Sequence, residues 1–108
     1  MRPVTLTTTG VQASAACPLD IYIAPFQVTL DVILNGAATY TVEYTNDDVF
    51  VKGFNPATAN WIPHADLTAK AAAAQGTLIS PVRAVRLNQT AGAGSAILRV
   101  IQAGIGGL

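Results

Sequence analysis

Few side chains in this chain combine the types and spacing that chemistry needs. Glu43, Asp47 and Asp48 form the densest carboxylate group, the raw material of a divalent-cation site or an acid–base pair. Adjacent residues of a strand point to opposite faces, however, and Asn46-Asp47-Asp48 is ordinary turn chemistry, so a turn is expected there. His64 is the sole histidine. A catalytic base needs a nucleophile or an orienting carboxylate, and Asp66 is the one acid close to it in sequence. No GxSxG or HExxH motif completes a constellation, and a loop histidine with local hydrogen bonds is expected. The single cysteine, Cys17, excludes an internal disulfide and a cysteine-cluster metal site; among alanine, serine and proline it reads as a small buried hydrophobe. Ala91-Gly92-Ala93-Gly94 has the look of half a phosphate loop but lacks the lysine and helix that bind phosphate, and it reads as a flexible hairpin tip. Arg83, Arg86 and Arg99 lie on two strands expected to pair. They form either a small basic patch suited to interface carboxylates or a solvated strand face. The expectation is therefore no catalytic residue, no metal site and no cofactor.

The elements that position these residues are strands. From Pro25 to Asp48, Phe26, Val28, Leu30, Val32 and Leu34 recur at a period of two, as do Tyr40, Val42 and Tyr44. Polar residues fill the alternate places, the mark of strands with one buried and one wet face. Asn35-Gly36 between them tolerates the positive φ of a tight turn, so an antiparallel hairpin is expected. A second hairpin is expected from Pro81–Thr90 and Ser95–Ala103, with Val85 and Leu87 inward. In its last strand Ile97 and Ile101 face opposite to Leu98 and Val100, which suggests cover on both sides. Residues 3–9 are β-branched and form a first strand or an extended arm. Leu19, Ile21 and Ile23 alternate as a short strand. Residues 53–66 read as a loop anchored to the core by Trp61. Ala65–Gln75 is the sole helical candidate, either one or two turns or an irregular loop. Tyr22, Tyr40, Tyr44, Phe50, Phe54 and Trp61 are assigned to the core. Together the pattern predicts a single all-β domain, an antiparallel β-sandwich or jelly roll with at most one short helix around 65–75.

Composition narrows the function classes. With 108 residues the chain supports a single core. Six basic and six acidic residues cancel, which argues against nucleic-acid and anionic-membrane partners. Only 11% of residues are charged, well under half the ~25% of an ordinary soluble domain. A weakly charged, neutral surface tends to associate, so a homo-oligomer or a domain docked on something larger is expected. The first ten residues lack the apolar stretch of a signal peptide, and no apolar run approaches the length of a membrane helix. Synthesis and folding in a cytoplasm are expected.

Three segments together resemble small structural proteins of tailed bacteriophages: ATYTVEYTNDD at 38–48, Trp61 followed by His64 and Leu67, and SPVRAVRLNQTAGAGSAILRVIQAG at 80–104. The resemblance spans roughly residues 25–104. It implies a virion component, and within that class a capsid decoration or cement protein bound to the major capsid protein as a homo-oligomer. A tail or neck component, a fibre or adaptor module, is the alternative on the same framework. A small sugar-binding or enzymatic module would instead need a pocket around His64, Asp66 and Asp47. The contact surfaces expected for such a protein are the N-terminal arm (Arg2 to Thr9, with Arg2, Val4 and Leu6), the loop 53–76 and the C-terminal tail (Ala103 to Leu108, with Ile105 and Leu108 in the glycine-rich GIGGL), and with them the arginines Arg83, Arg86 and Arg99 noted above.

Overall fold

The computed structural model describes residues 3–22 and 25–103. Among them the chain is all-β, without a helix, and forms two antiparallel sheets packed face to face. The strands are β1 (Val4–Thr9), β2 (Gln12–Ala13), β3 (Cys17–Pro18), β4 (Gln27–Asn35), β5 (Thr39–Thr45), β6 (Ile62–Pro63), β7 (Ala74–Leu78), β8 (Ala84–Ala91) and β9 (Ser95–Ala103). One sheet has the order β1-β9-β4-β7; the other runs β2-β8-β5-β6, with β3 also on β8.

The period-two residues supply the core between the sheets. Val28, Leu30 and Val32 of β4 face Tyr40 and Val42 of β5, with Val85 and Leu87 of β8 and Leu98 and Val100 of β9; all are buried. Burying a side chain of this size contributes roughly 1.5–3 kcal/mol. The alternation is therefore read correctly, but the pairing is not. β4 bonds to β9 and β7, and β5 bonds to β8 and β6, so the two arms of the expected hairpin lie in different sheets. The same holds for β8 and β9. Each pair is joined by an arch that rolls the chain across the core, so that apolar faces look at each other instead of lying side by side.

The two sheet orders run in step. Each strand of one sheet is joined directly to the strand at the same place in the other: β1 to β2, β8 to β9, β4 to β5 and β6 to β7. Three of these connections are tight, and they stack. The Gly94 amide donates to the Ala37 carbonyl at 2.8 Å, and the Gly10 amide donates to the Gly94 carbonyl at 3.1 Å. Their small residues are explained by that stacking. A Cβ on Gly92 would lie 2.4 Å from the Ala37 oxygen, and one on Gly94 would lie 2.7 Å from it. Ala91-Gly92-Ala93-Gly94 is thus a close-packed crossing and not a loose tip.

Two buried glutamines close the sandwich. At the arch end, Gln89 Nε2 donates to the Gly92 and Gly94 carbonyls at 3.0 and 2.9 Å, and its Oε1 accepts from the buried Thr8 hydroxyl. At the other end, Gln102 Nε2 donates to the Asp20 carbonyl while its Oε1 accepts from the Asp20 amide. Each buried side-chain amide is satisfied by the chain itself, and in return ties a connection onto the end of the sandwich.

The helical candidate Ala65–Gln75 resolves as the irregular alternative, running into β7 at Ala74. Its backbone bonds sideways to the edge of β5: the Val42 amide donates to the Leu67 carbonyl, and Tyr40 and Lys70 exchange amide and carbonyl at 2.9 Å. Leu67 fills the core, so tertiary pairing overrides the helix propensity of the alanines. Residues 3–9 take the strand option. β1 is paired along its whole length with β9, and Val4 and Leu6 pack on the core. Leu19 is buried, but Ile21 and Tyr22 form a turn and Ile23 lies outside the described residues.

Candidate functional site

The groups with chemical potential are tied into the framework one by one. His64 is buried; its Nε2 contacts the Thr77 carbonyl at 2.8 Å and its Nδ1 accepts from the Asp66 amide at 3.1 Å. With Nδ1 accepting, Nε2 is the nitrogen that donates to the Thr77 carbonyl. Asp66 is exposed and meets the histidine through its backbone rather than its carboxylate. Asp47 accepts from the Asn60 amide, and Asp48 accepts from the Phe50 amide, as turn residues do. Among the described residues, neither of the two clefts described below is lined by His64, Asp66 or Asp47. Cys17 is buried, and burial pushes its thiol pKa up, away from the reactive thiolate. Among the described residues no cluster of three or more His, Cys, Asp or Glu side chains is arranged to hold a metal ion.

The three arginines do not share a patch. The arches put β8 and β9 in different sheets, and each guanidinium has its own carboxylate. Arg83 pairs with Asp48 at 3.5 Å on the surface, and Arg99 pairs with Asp31 on the outer face of the β1-β9-β4-β7 sheet. Arg86 bonds Glu43 at 2.8 Å in a half-buried site, and its guanidinium lies 4.2 Å from the Trp61 ring centroid. Trp61 Nε1 donates to the Pro56 carbonyl. Trp61 therefore pins its loop to the outside of the β2-β8-β5-β6 sheet, not to the core. Of the other expected contact residues, Val4 and Leu6 point inward. Arg2, Ile105 and Leu108 lie outside the described residues, and so does the tail.

What the fold does gather is an apolar end. Opposite the tight arches, Leu19–Tyr22, Asp48–Phe50 and Arg83 enclose a cleft of about 310 Å³. Tyr22 and Phe50 stand at it 91% and 80% exposed, and Val51 and Ile79 are also exposed on loops of that end. A second hollow of about 360 Å³ is lined by Tyr44, Asn46 and residues 77–82. Tyr22 and Phe50 thus depart from the core assignment, whereas Tyr40 follows it. They sit on connections rather than on the inward phase of a strand, and nothing in the spacing of a loop residue tells which way it points. Arg83 and Asp48 add one polar contact to a mainly hydrocarbon surface.

No family model matches the chain, and neither a curated protein nor a solved structure matches it. What is established is the class of fold: an all-β two-sheet sandwich.

Proposed function

We propose that this chain is a bacteriophage virion structural protein, a capsid decoration or cement protein that binds the major capsid protein as a homo-oligomer. Its place would be the capsid surface, after synthesis in the host cytoplasm. The observation that carries the reading is the exposed apolar end. Tyr22 and Phe50 present large rigid side chains to solvent beside a shallow cleft, as anchor residues of protein interfaces do. The low charge of the chain and the resemblance of residues 25–104 to small phage structural proteins support it. Work of this kind needs shape, area and a rigid frame, and the stacked arches supply the frame. Many copies on a symmetric shell add through avidity, so each contact need only be modest.

The test is add-back to capsids that lack the chain. Replacing Tyr22 and Phe50 together by serine should lower occupancy about tenfold or more at limiting protein, since two anchors at an interface contribute well over 1.4 kcal/mol. The melting temperature should hardly move, because both side chains are already in water. Full occupancy by the double variant would remove this end as the docking surface.

A further inference from the structure

β1 has the one bare long edge among the described residues. The other edges are blunted in ways proteins use to stop sheets from associating. β2, β3 and β6 are two residues long, and the last two contain Pro18 and Pro63. β7 is five residues long, and the His64 ring takes up its Thr77 carbonyl. β1 has no charge, no proline and no bulge between Val4 and Thr9.

The hydrogen-bond parity of this edge follows from one contact. The Gly10 amide donates to the Gly94 carbonyl, one step past the Thr9–Ser95 pair. Bonded pairs in an antiparallel ladder recur at every second residue. Val4, Leu6 and Thr8 therefore bond to β9, while Thr5, Thr7 and Thr9 turn their N–H and C=O groups outward.

We propose that a second copy of this chain pairs with that edge, antiparallel, about a two-fold axis at Thr7. Thr7 then faces its own counterpart, and Thr5 faces Thr9 of the second copy. A two-fold axis sets each residue against itself or its mirror position, so any charge near the axis would meet a like charge. β1 offers uncharged threonines there, and directly opposed threonines are a favourable pair. The nearest charge on the same face, Arg99 opposite Thr5, is already neutralised by Asp31. Val4 and Leu6, half-buried at the end of the core, would be covered by the second copy's sheet. The proposal rests on the self-association part of the function proposed above and is independent of the capsid part.

The experiment uses the full chain and reads its mass in solution by light scattering and sedimentation. The wild type should form a dimer of twice its 11.1 kDa. Thr7→Lys, which brings two ammonium groups together at the axis while leaving the β1–β9 ladder intact, should raise the dimer dissociation constant more than tenfold. Gln75→Lys, on the opposite edge, should not. As a positive readout, Thr7→Cys should be captured as a dimer by a short bis-maleimide, and Gln75→Cys should not. A monomer at every concentration, or a dimer indifferent to Thr7→Lys and not captured through Thr7→Cys, overturns the proposal. Neither outcome bears on whether the chain occurs on capsids; conversely, a dimer captured at this edge in a protein missing from particles would leave the edge standing and remove the capsid reading.

Discussion

Replacing Gly92 by alanine probes the stacked arches most sharply. Gly92 has φ +92, and an added Cβ would meet the Ala37 oxygen at 2.4 Å and the Ala38 Cα at 2.8 Å. Two costs add. The left-handed backbone costs a non-glycine residue about 1–2 kcal/mol. Forcing a methyl against backbone that is itself held by the Gly94 amide costs about 1–3 kcal/mol more. Gly53 separates the two, because its φ is +89 but nothing lies within 4 Å of its Cβ position. Gly53→Ala should therefore cost about 1–2 kcal/mol and Gly92→Ala about 2–5 kcal/mol. With a urea slope of about 1.5 kcal/mol per molar, the Gly92 midpoint should fall by roughly 1.5–3 M and lie below that of Gly53→Ala by about 1–2 M. Equal midpoints would mean that residues 91–94 do not pack on residues 37–38, and the arch topology would fail with them.

Three further outcomes follow from the same contacts. Gln89→Leu keeps the volume but takes the partner from the Gly92 carbonyl and the buried Thr8 hydroxyl, while the Gly94 carbonyl keeps the Gly10 amide; it should cost about 1–3 kcal/mol by urea titration, and Thr8→Val should be markedly less costly in its background than alone. Gly76→Ala would press a methyl to 3.0 Å from both His64 Cε1 and Leu67 Cδ1, with an expected loss of about 1–3 kcal/mol and a changed environment in the His64 ring resonances. Stability should also fall in alkali. Burial, and secondarily the Asp31 carboxylate, hold the Tyr40 hydroxyl above its ordinary pKa, and it donates to the Ala72 carbonyl. The folded state then keeps a proton that the unfolded chain loses first. The Tyr40 contribution is complete below the ordinary tyrosine pKa of about 10 and is lost as pH rises from there through the raised value. Melting temperatures should be flat near neutrality and decline from about pH 9.5 upward, and Tyr40→Phe should flatten that decline.

The faces of the sandwich were legible because a period of two survives any arrangement of strands. Val28, Leu30, Val32, Val85 and Leu87 all point where their spacing puts them; in the last strand, where cover on both sides is expected, Leu98 and Val100 are buried and Ile101 is exposed. Their partners were not legible, for a physical reason. A hairpin and an arch bury the same alternate residues, and Asn35-Gly36 supplies positive φ to either. Two signals did distinguish them. Gln89, Gln102 and Thr8 sit in the apolar phase of their strands, where a buried polar side chain must find a partner in the connections or in another side chain. The small tracts 36–38 and 91–94 also match a pair of crossings that need to touch. Separate sheets then explain why Arg99 finds a different carboxylate from Arg83 and Arg86. The apolar end was hidden for another reason: Tyr22 and Phe50 are on connections, where direction is set by tertiary geometry and not by period.

The most direct measurement of the proposed role is the number of copies of this chain in purified particles, by quantitative mass spectrometry against the major capsid protein. A decoration protein should be present at on the order of hundreds of copies per particle, in fixed ratio to the shell subunit, as binding through repeated modest contacts requires. A handful of copies would move the chain to the tail or neck, and its absence from mature particles would contradict the virion assignment altogether.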